Sequence, residues 1–220
     1  MKSTPLLMTG PNVLRILDGS KTQTRRITKY QAGGRIDRHG TTAIPINPNY
    51  SNEINSALRR GVQVCPFGCP GDEIWVRETF RFSTKDDCAC YEPCSCKVGV
   101  PIYRATCGFE REDGDPPWKP SIFMPRAASR ITLKLKAVRI ERLQDISEED
   151  AIAEGIREWW NDQGETPGST FYLGYATAPG VGHLTAKAAF RELWESINGH
   201  GSWDLNPWVW VLAFERKTEL

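Results

Sequence analysis

Arg130-Ile-Thr-Leu-Lys-Leu-Lys-Ala-Val-Arg-Ile-Glu-Arg-Leu143 is the stretch on which the fold turns. Ile131, Leu133 and Leu135 alternate with Thr132, Lys134 and Lys136, the period of a strand with one buried face and one solvated, basic face. The next segment, Asp145-Ile-Ser-Glu-Glu-Asp-Ala-Ile-Ala-Glu-Gly155, changes period at once. Ser147 is a good N-cap, the acidic residues fill the first turn where the macrodipole favours them, and Gly155 supplies a stop. A half-buried strand followed directly by a short helix points to an α+β domain.

Toward the C-terminus, Thr185 to Asn198 reads as a longer amphipathic helix. Phe190, Leu193, Trp194 and Ile197 recur at i, i+3, i+4 and i+7, and Gly199 ends it. Trp208-Val-Trp-Val-Leu-Ala-Phe-Glu215 is apolar on both faces, so it is expected to be a central or barrel-closing strand. Toward the N-terminus, Asp72 to Phe82 carries strand alternation behind a Gly71-Asp72 turn, and a short strand is expected around Ile102 to Ala105. Pro11 suits the first turn of a short helix whose stripe is Val13, Leu14, Ile16 and Leu17, with Gly19 as its C′ stop. Lys21 to Ile27 is Thr-rich and β-compatible.

Loops separate these elements. Residues from about 28 to 61, 83 to 117 and 157 to 184 read as insertions in one domain spanning 1–220. The whole is expected to be a mostly antiparallel, closed sheet flanked by short helices.

The 220 residues can bury a sizeable core, and their net charge of +1 excludes a global field that holds nucleic acid. A nucleic-acid contact would need a local patch, to which Arg25, Arg26, Arg126, Arg130, Lys134 and Lys136 are candidates. The apolar run Pro5 to Met8 is too short for a signal-peptide core. No stretch approaches the ~18–20 apolar residues that cross a bilayer. A soluble, cytoplasmic protein with no membrane partner is expected. The odd count of seven cysteines also falls outside the secreted disulfide class. Cys88, Cys90, Cys94 and Cys96 form a cluster that could hold a structural zinc, since thiolates suit that ion. Their C-x-C spacing equally fits reduced thiols on a surface insertion. Trp203 and Trp208 bracket a loop and suit either base stacking or core packing.

The helix stop at Gly19 opens Gly19-x-Lys21-x-x-Thr24-x-Arg26. Further on stand Cys65-Pro-Phe-Gly, Gly71-Asp-x-x-Trp-Val-Arg-Glu78 and Pro120-Ser-Ile-Phe-Met-Pro-Arg-x-x-Ser-Arg-Ile-Thr-Leu133. In that order, with the Ala-Glu154-Gly-Ile helix end and the apolar closing strand, these features resemble the ASCH domain family. The longer layout is similar to ASCH proteins of phage and prophage genomes. The resemblance implies a PUA-like β-barrel, akin to RNA-binding domains, and covers most of the chain outside the insertions. Small members include an amidohydrolase that removes the acetyl group from N4-acetylcytidine. Its implied catalytic residues are Lys21, Thr24 and Glu154, with Arg25, Arg26, Arg126 and Arg130 as substrate-binding candidates; no cofactor is required.

The residues can support such chemistry. Thr24 offers a hydroxyl nucleophile, while Lys21 serves as a base only if its pKa falls from roughly 10.4. Burial beside Arg25 and Arg26 works in that direction, whereas an ionised Glu154 opposes it. Glu154, near a helix C-terminus, could act as an acid or orient the lysine. The bland reading is a turn whose basic residues face water and a solvated glutamate at a helix end. The competing functions are a ribonuclease, a non-catalytic module for RNA or a modified base, and a phage-encoded protein that docks on a host protein.

Overall fold

The computed structural model describes residues 3–28, 65–84, 98–107, 117–161, 169–174 and 182–217. The elements run β1 (Ser3–Leu7), α1 (Gly10–Leu17), β2 (Gln23–Ile27), β3 (Glu73–Arg77), β4 (Phe80–Phe82) and β5 (Pro101–Tyr103). They continue β6 (Thr132–Arg142), α2 (Glu148–Ala153), β7 (Arg157–Asn161), β8 (Ser169–Leu173), α3 (Ala186–Asn198) and β9 (Trp208–Arg216). Among the described residues the architecture is α+β, a sheet-centred core with three helices. The central sheet has the order β1-β3-β6-β9-β2, with β4–β5 and β7–β8 as two separate pairs. Only β1 and β3 are parallel; the other pairings are antiparallel.

The expected closure of the sheet is not found among the described residues, where β1 and β2 are the two edges. A side chain spans the seam instead of a ladder. Arg26 Nη2 donates to the Leu7 carbonyl at 2.7 Å and lies 3.4 Å from Met8 Sδ, satisfying an edge acceptor that a paired strand would otherwise take.

β9 is central, as its two apolar faces require. Trp210, Leu212 and Phe214 enter a core with Leu6, Val13, Ile16, Ile74, Leu133 and Leu135, while Val209 and Val211 enter a second core beneath α2 and α3. Each such side chain contributes about 1.5–3 kcal/mol by leaving water. The α3 stripe supplies Phe190, Leu193 and Trp194 to that second core. Trp203 is buried there too, so it packs rather than facing a base.

β6 contains one irregularity with consequences. Leu135 pairs with Phe214 and Ala137 with Ala213, so Lys136 is an extra residue, a β-bulge. Before it the odd positions Leu133 and Leu135 face the first core; after it the even positions Val138 and Ile140 do. Arg139 and Glu141 are thereby turned to the opposite face, toward α2.

The caps follow the sequence. Ser147 Oγ accepts the Asp150 N–H at 3.1 Å and Thr185 Oγ1 that of Ala188 at 3.1 Å. Gly19 and Gly155 both take left-handed conformations, with φ of +83° and +99°. Other expectations shift. β1 is not among the expected strands; Pro5 fits within it because β1 lies at an edge, where its missing N–H breaks no ladder. The expected strand from Asp72 to Phe82 is two strands, broken at Glu78-Thr79. The 157–184 insertion carries the β7–β8 hairpin, braced by Trp159 against Phe171 at 6.3 Å. Most of the 28–61 and 83–117 insertions, with Cys88, Cys90, Cys94 and Cys96, lies outside the described residues. No described helix is long and apolar enough to cross a membrane.

Candidate functional site

The turn after α1 is stitched down from both sides. Lys21 N–H donates to the Arg15 carbonyl at 2.9 Å, and Thr22 N–H to the Ala153 carbonyl of α2 at 2.9 Å. The end of α2 can approach this closely because Gly155 has no side chain: a Cβ there would lie 3.2 Å from Arg15 Cγ and 3.4 Å from Lys21 Cβ. Two residues 133 apart in sequence thus meet in the interior. Lys21 Nζ donates to the Glu154 carbonyl at 2.6 Å and to Glu154 Oε2 at 2.7 Å, with both residues only 3% exposed.

Arg25 continues the network. Its Nη1 reaches Glu154 Oε1 at 3.2 Å, and its Nη2 reaches Glu141 Oε1 at 2.5 Å and Asp150 Oδ2 at 2.8 Å. Arg139, turned to this face by the bulge, holds Glu141 Oε2 at 3.0 Å, Gln23 Oε1 at 3.2 Å and Asp150 Oδ2. Lys21, Arg25 and Arg139 thus interlock with Glu141, Asp150 and Glu154. Such a cluster is tolerable in the interior because its members pair with one another.

The electrostatics single out Lys21. Burial pushes its ammonium below the ordinary lysine value; Glu154 pulls upward, Arg26 and Arg25 push down, and the net direction is down. Burial would lower Arg25 as well, but Glu154, Glu141 and Asp150 outweigh it and lock the guanidinium as a cation. Burial tends to raise Asp150, yet Arg139 and Arg25 hold its carboxyl below the usual aspartate value.

A cleft of about 70 Å³ opens over this cluster, room for a few waters. It wraps the free edge of β2. Thr28 N–H donates to the Trp208 carbonyl and Phe214 N–H to that of Thr22, so even-numbered residues turn their backbone groups toward β9. Gln23, Arg25 and Ile27 turn theirs to the open edge. One wall is Asn12 of α1; the other is Phe190, Leu193, Trp194 and Ile197 of α3; Lys21, Thr24 and Glu154 also line the cleft. Thr24 is 3% exposed and its hydroxyl makes no side-chain hydrogen bond among the described residues. A buried lysine of lowered pKa, a carboxylate that fixes it and an uncommitted hydroxyl can together move a proton and form an acyl bond.

Lys21, Thr24 and Glu154 therefore share one cleft, and so do Arg25 and Arg26. The arginines do other things than reach outward. Arg25 is enclosed by carboxylates and Arg26 spans the sheet edges. Arg126 and Arg130 lie apart from the cleft. Arg126 Nη2 meets Thr132 Oγ1 at 3.1 Å and its guanidinium lies 5.8 Å from the Trp75 ring. Arg130 forks onto the buried Glu78 with two 2.9 Å bonds and stacks 4.0 Å over the Tyr103 ring. Lys134 and Lys136 are exposed, and Lys136 pairs with Glu215 at 3.1 Å. Among the described residues no group of three or more His, Cys, Asp or Glu is placed to hold a metal.

The sequence did not point to Asn12, Arg139, Glu141, Asp150 or Trp194 as parts of the site. The bulge hides the charged pair, and the α3 residues read as ordinary core. Comparison with models of known protein families, with curated proteins and with solved structures finds no match to this chain.

Proposed function

We propose that this cleft hydrolyses the amide of an N-acylated nucleobase, with N4-acetylcytidine as the reference substrate, in an ASCH-type, PUA-like domain. One observation carries the reading: Lys21 Nζ is fixed by two bonds to Glu154, and Thr24 lines the same cleft. The resemblance of Gly19-x-Lys21-x-x-Thr24-x-Arg26 to the ASCH motif supports the same assignment.

The chemistry follows from donor counting. A neutral lysine amine has two N–H groups, and both are engaged by Glu154, so its lone pair is left for the Thr24 proton. Thr24 Oγ1 then attacks the amide carbonyl as its proton passes to Lys21. Collapse of the tetrahedral intermediate breaks the C–N bond, and Lys21 returns the proton to the departing amine. Water, deprotonated by Lys21, cleaves the threonyl ester, releasing the carboxylic acid and restoring Thr24. Glu154 orients the amine throughout, and Arg25 holds Glu154 in place.

The test is incubation with N4-acetylcytidine and a panel of other acylated nucleosides. Turnover is expected in the wild type and a fall of about 10²–10⁴-fold in Lys21→Ala and Thr24→Ala. No wild-type turnover, or turnover unchanged in both variants, would sink the hydrolase reading. RNA binding without hydrolysis would favour the binding module, and RNA cleavage the ribonuclease.

A further inference from the structure

Among the described residues, two buried polar atoms beside the cleft have no hydrogen-bond partner: Asn12 Oδ1 and Trp194 Nε1. Both residues line the cleft, and they are 6% and 5% exposed. An orphaned buried donor or acceptor costs about 1–3 kcal/mol, so a pair of them at one opening calls for an explanation. Asn12 Nδ2 is engaged by Thr9 Oγ1 at 3.1 Å, which leaves Oδ1 as a pure acceptor. The indole N–H of Trp194 is a pure donor. Neither atom meets bulk water, and both belong to residues lining the cleft, so a group that enters there and shifts the neighbouring side chains can pair with them.

The two stand on opposite walls. Thr24 and Arg26 pair with Leu212 and Trp210, which face the core shared with α1; Arg25 pairs with Val211, which faces the core under α3. Asn12 belongs to the α1 side of the β2 edge and Trp194 to the α3 side. A trans secondary amide has this arrangement of groups, its N–H and C=O pointing in opposite directions.

We propose that Asn12 and Trp194 are the recognition pair for a secondary amide laid across the cleft, its N–H to Asn12 Oδ1 and its carbonyl oxygen to Trp194 Nε1. This deepens the hydrolase reading and rests on it. The carbonyl is then the electrophile beside Thr24, and the Trp194 N–H also stabilises the oxyanion that forms on attack. Phe190, Leu193 and Ile197 offer an apolar surface to the acyl group. Esters and tertiary amides, which lack the N–H, leave Asn12 orphaned and are discriminated against.

The test is calorimetric binding to the Thr24→Val protein, which keeps the amide intact. N4-Acetylcytidine is compared with N4-acetyl-N4-methylcytidine, which lacks the N–H, and N4-ethylcytidine, which lacks the carbonyl. Each loss is expected to weaken binding about ten-fold. Adding Asn12→Leu should weaken N4-acetylcytidine about ten-fold and abolish the penalty of N-methylation, and Trp194→Phe should do the same for the missing carbonyl. Equal affinity for all three ligands, or variants of unchanged Tm that bind N4-acetylcytidine as the parent does, overturns the proposal. The ligand comparison needs neither variant, so a misfolded Asn12→Leu or Trp194→Phe does not decide it. Amide binding that depends on both residues in a wild type without turnover upholds the pair and removes the hydrolase. Turnover with unaltered KM in both variants does the reverse.

Discussion

Glu78 and Glu154 are both buried glutamates held by arginine, and they differ in what is left over. Glu78 is closed: Arg130 takes both its oxygens at 2.9 Å, Tyr103 backs the guanidinium, and Thr106 Oγ1 takes a further N–H at 3.0 Å. Glu154 is shared between Lys21 and Arg25, and it lines a cleft with the Thr24 hydroxyl and with an amide oxygen and an indole N–H that have no partner among the described residues. Burial of charge is common to both. The uncommitted valence is not, and it separates a structural tie from a site where chemistry can occur.

The largest expected effect comes from exchanging the damage. Lys21→Met should lower kcat at least about 10²-fold while leaving a folded protein. Arg130→Met should leave kcat of the folded fraction intact and cost about 3 kcal/mol in denaturant unfolding, because it strands a buried carboxylate. Loss of activity in Arg130→Met without loss of stability would erase the distinction.

A smaller effect concerns the proton on Lys21. Hydrolysis should rise with pH along a limb below the ordinary lysine range, since its ammonium is held down by burial. Glu154 raises that value, so Glu154→Gln should move the limb to lower pH and reduce kcat about ten-fold through lost orientation. A limb that stays put under Glu154→Gln would assign it to another group.

Stability should rise with pH through two groups, each in its own window. Asp150 is depressed in the folded state, so its contribution is present above the unfolded aspartate value and is lost as pH falls through the lower folded value. Asp150→Asn should flatten that acid limb of Tm against pH. Lys21, also depressed, binds fewer protons folded than unfolded, so stability should rise with pH between its folded value and the ordinary lysine value. The smallest effect is expected at Arg126→Ala, within about 0.5 kcal/mol and with hydrolysis unchanged, because this side chain lies on the surface away from the cleft.

Much of this comparison was legible in the sequence, because local physics writes it there. Gly19, Ser147 and Gly155 announce the helix ends that deliver Lys21 and Glu154, and the double-faced apolarity of Trp208 to Glu215 announces a central strand. Arg25 and Arg26 were legible as charges but not as ties, since their partners Glu141, Asp150 and Leu7 are distant in sequence. Asn12 looked like an ordinary first-turn residue, and Phe190 to Ile197 like a core stripe, because a cleft wall and a core face follow the same period. β1 was masked by Pro5, whose missing N–H matters little on an edge.

The bulge at Lys136 gives β6 two reading frames. Upstream of it odd positions are core; downstream they carry the pair that binds Arg25 and Asp150. Were Lys136 instead paired as an ordinary ladder residue, strict alternation would put Arg139 and Glu141 in phase with Leu133 and Leu135 and point them at hydrocarbon. The charge cluster is therefore encoded as much in the register of one strand as in the identity of its residues.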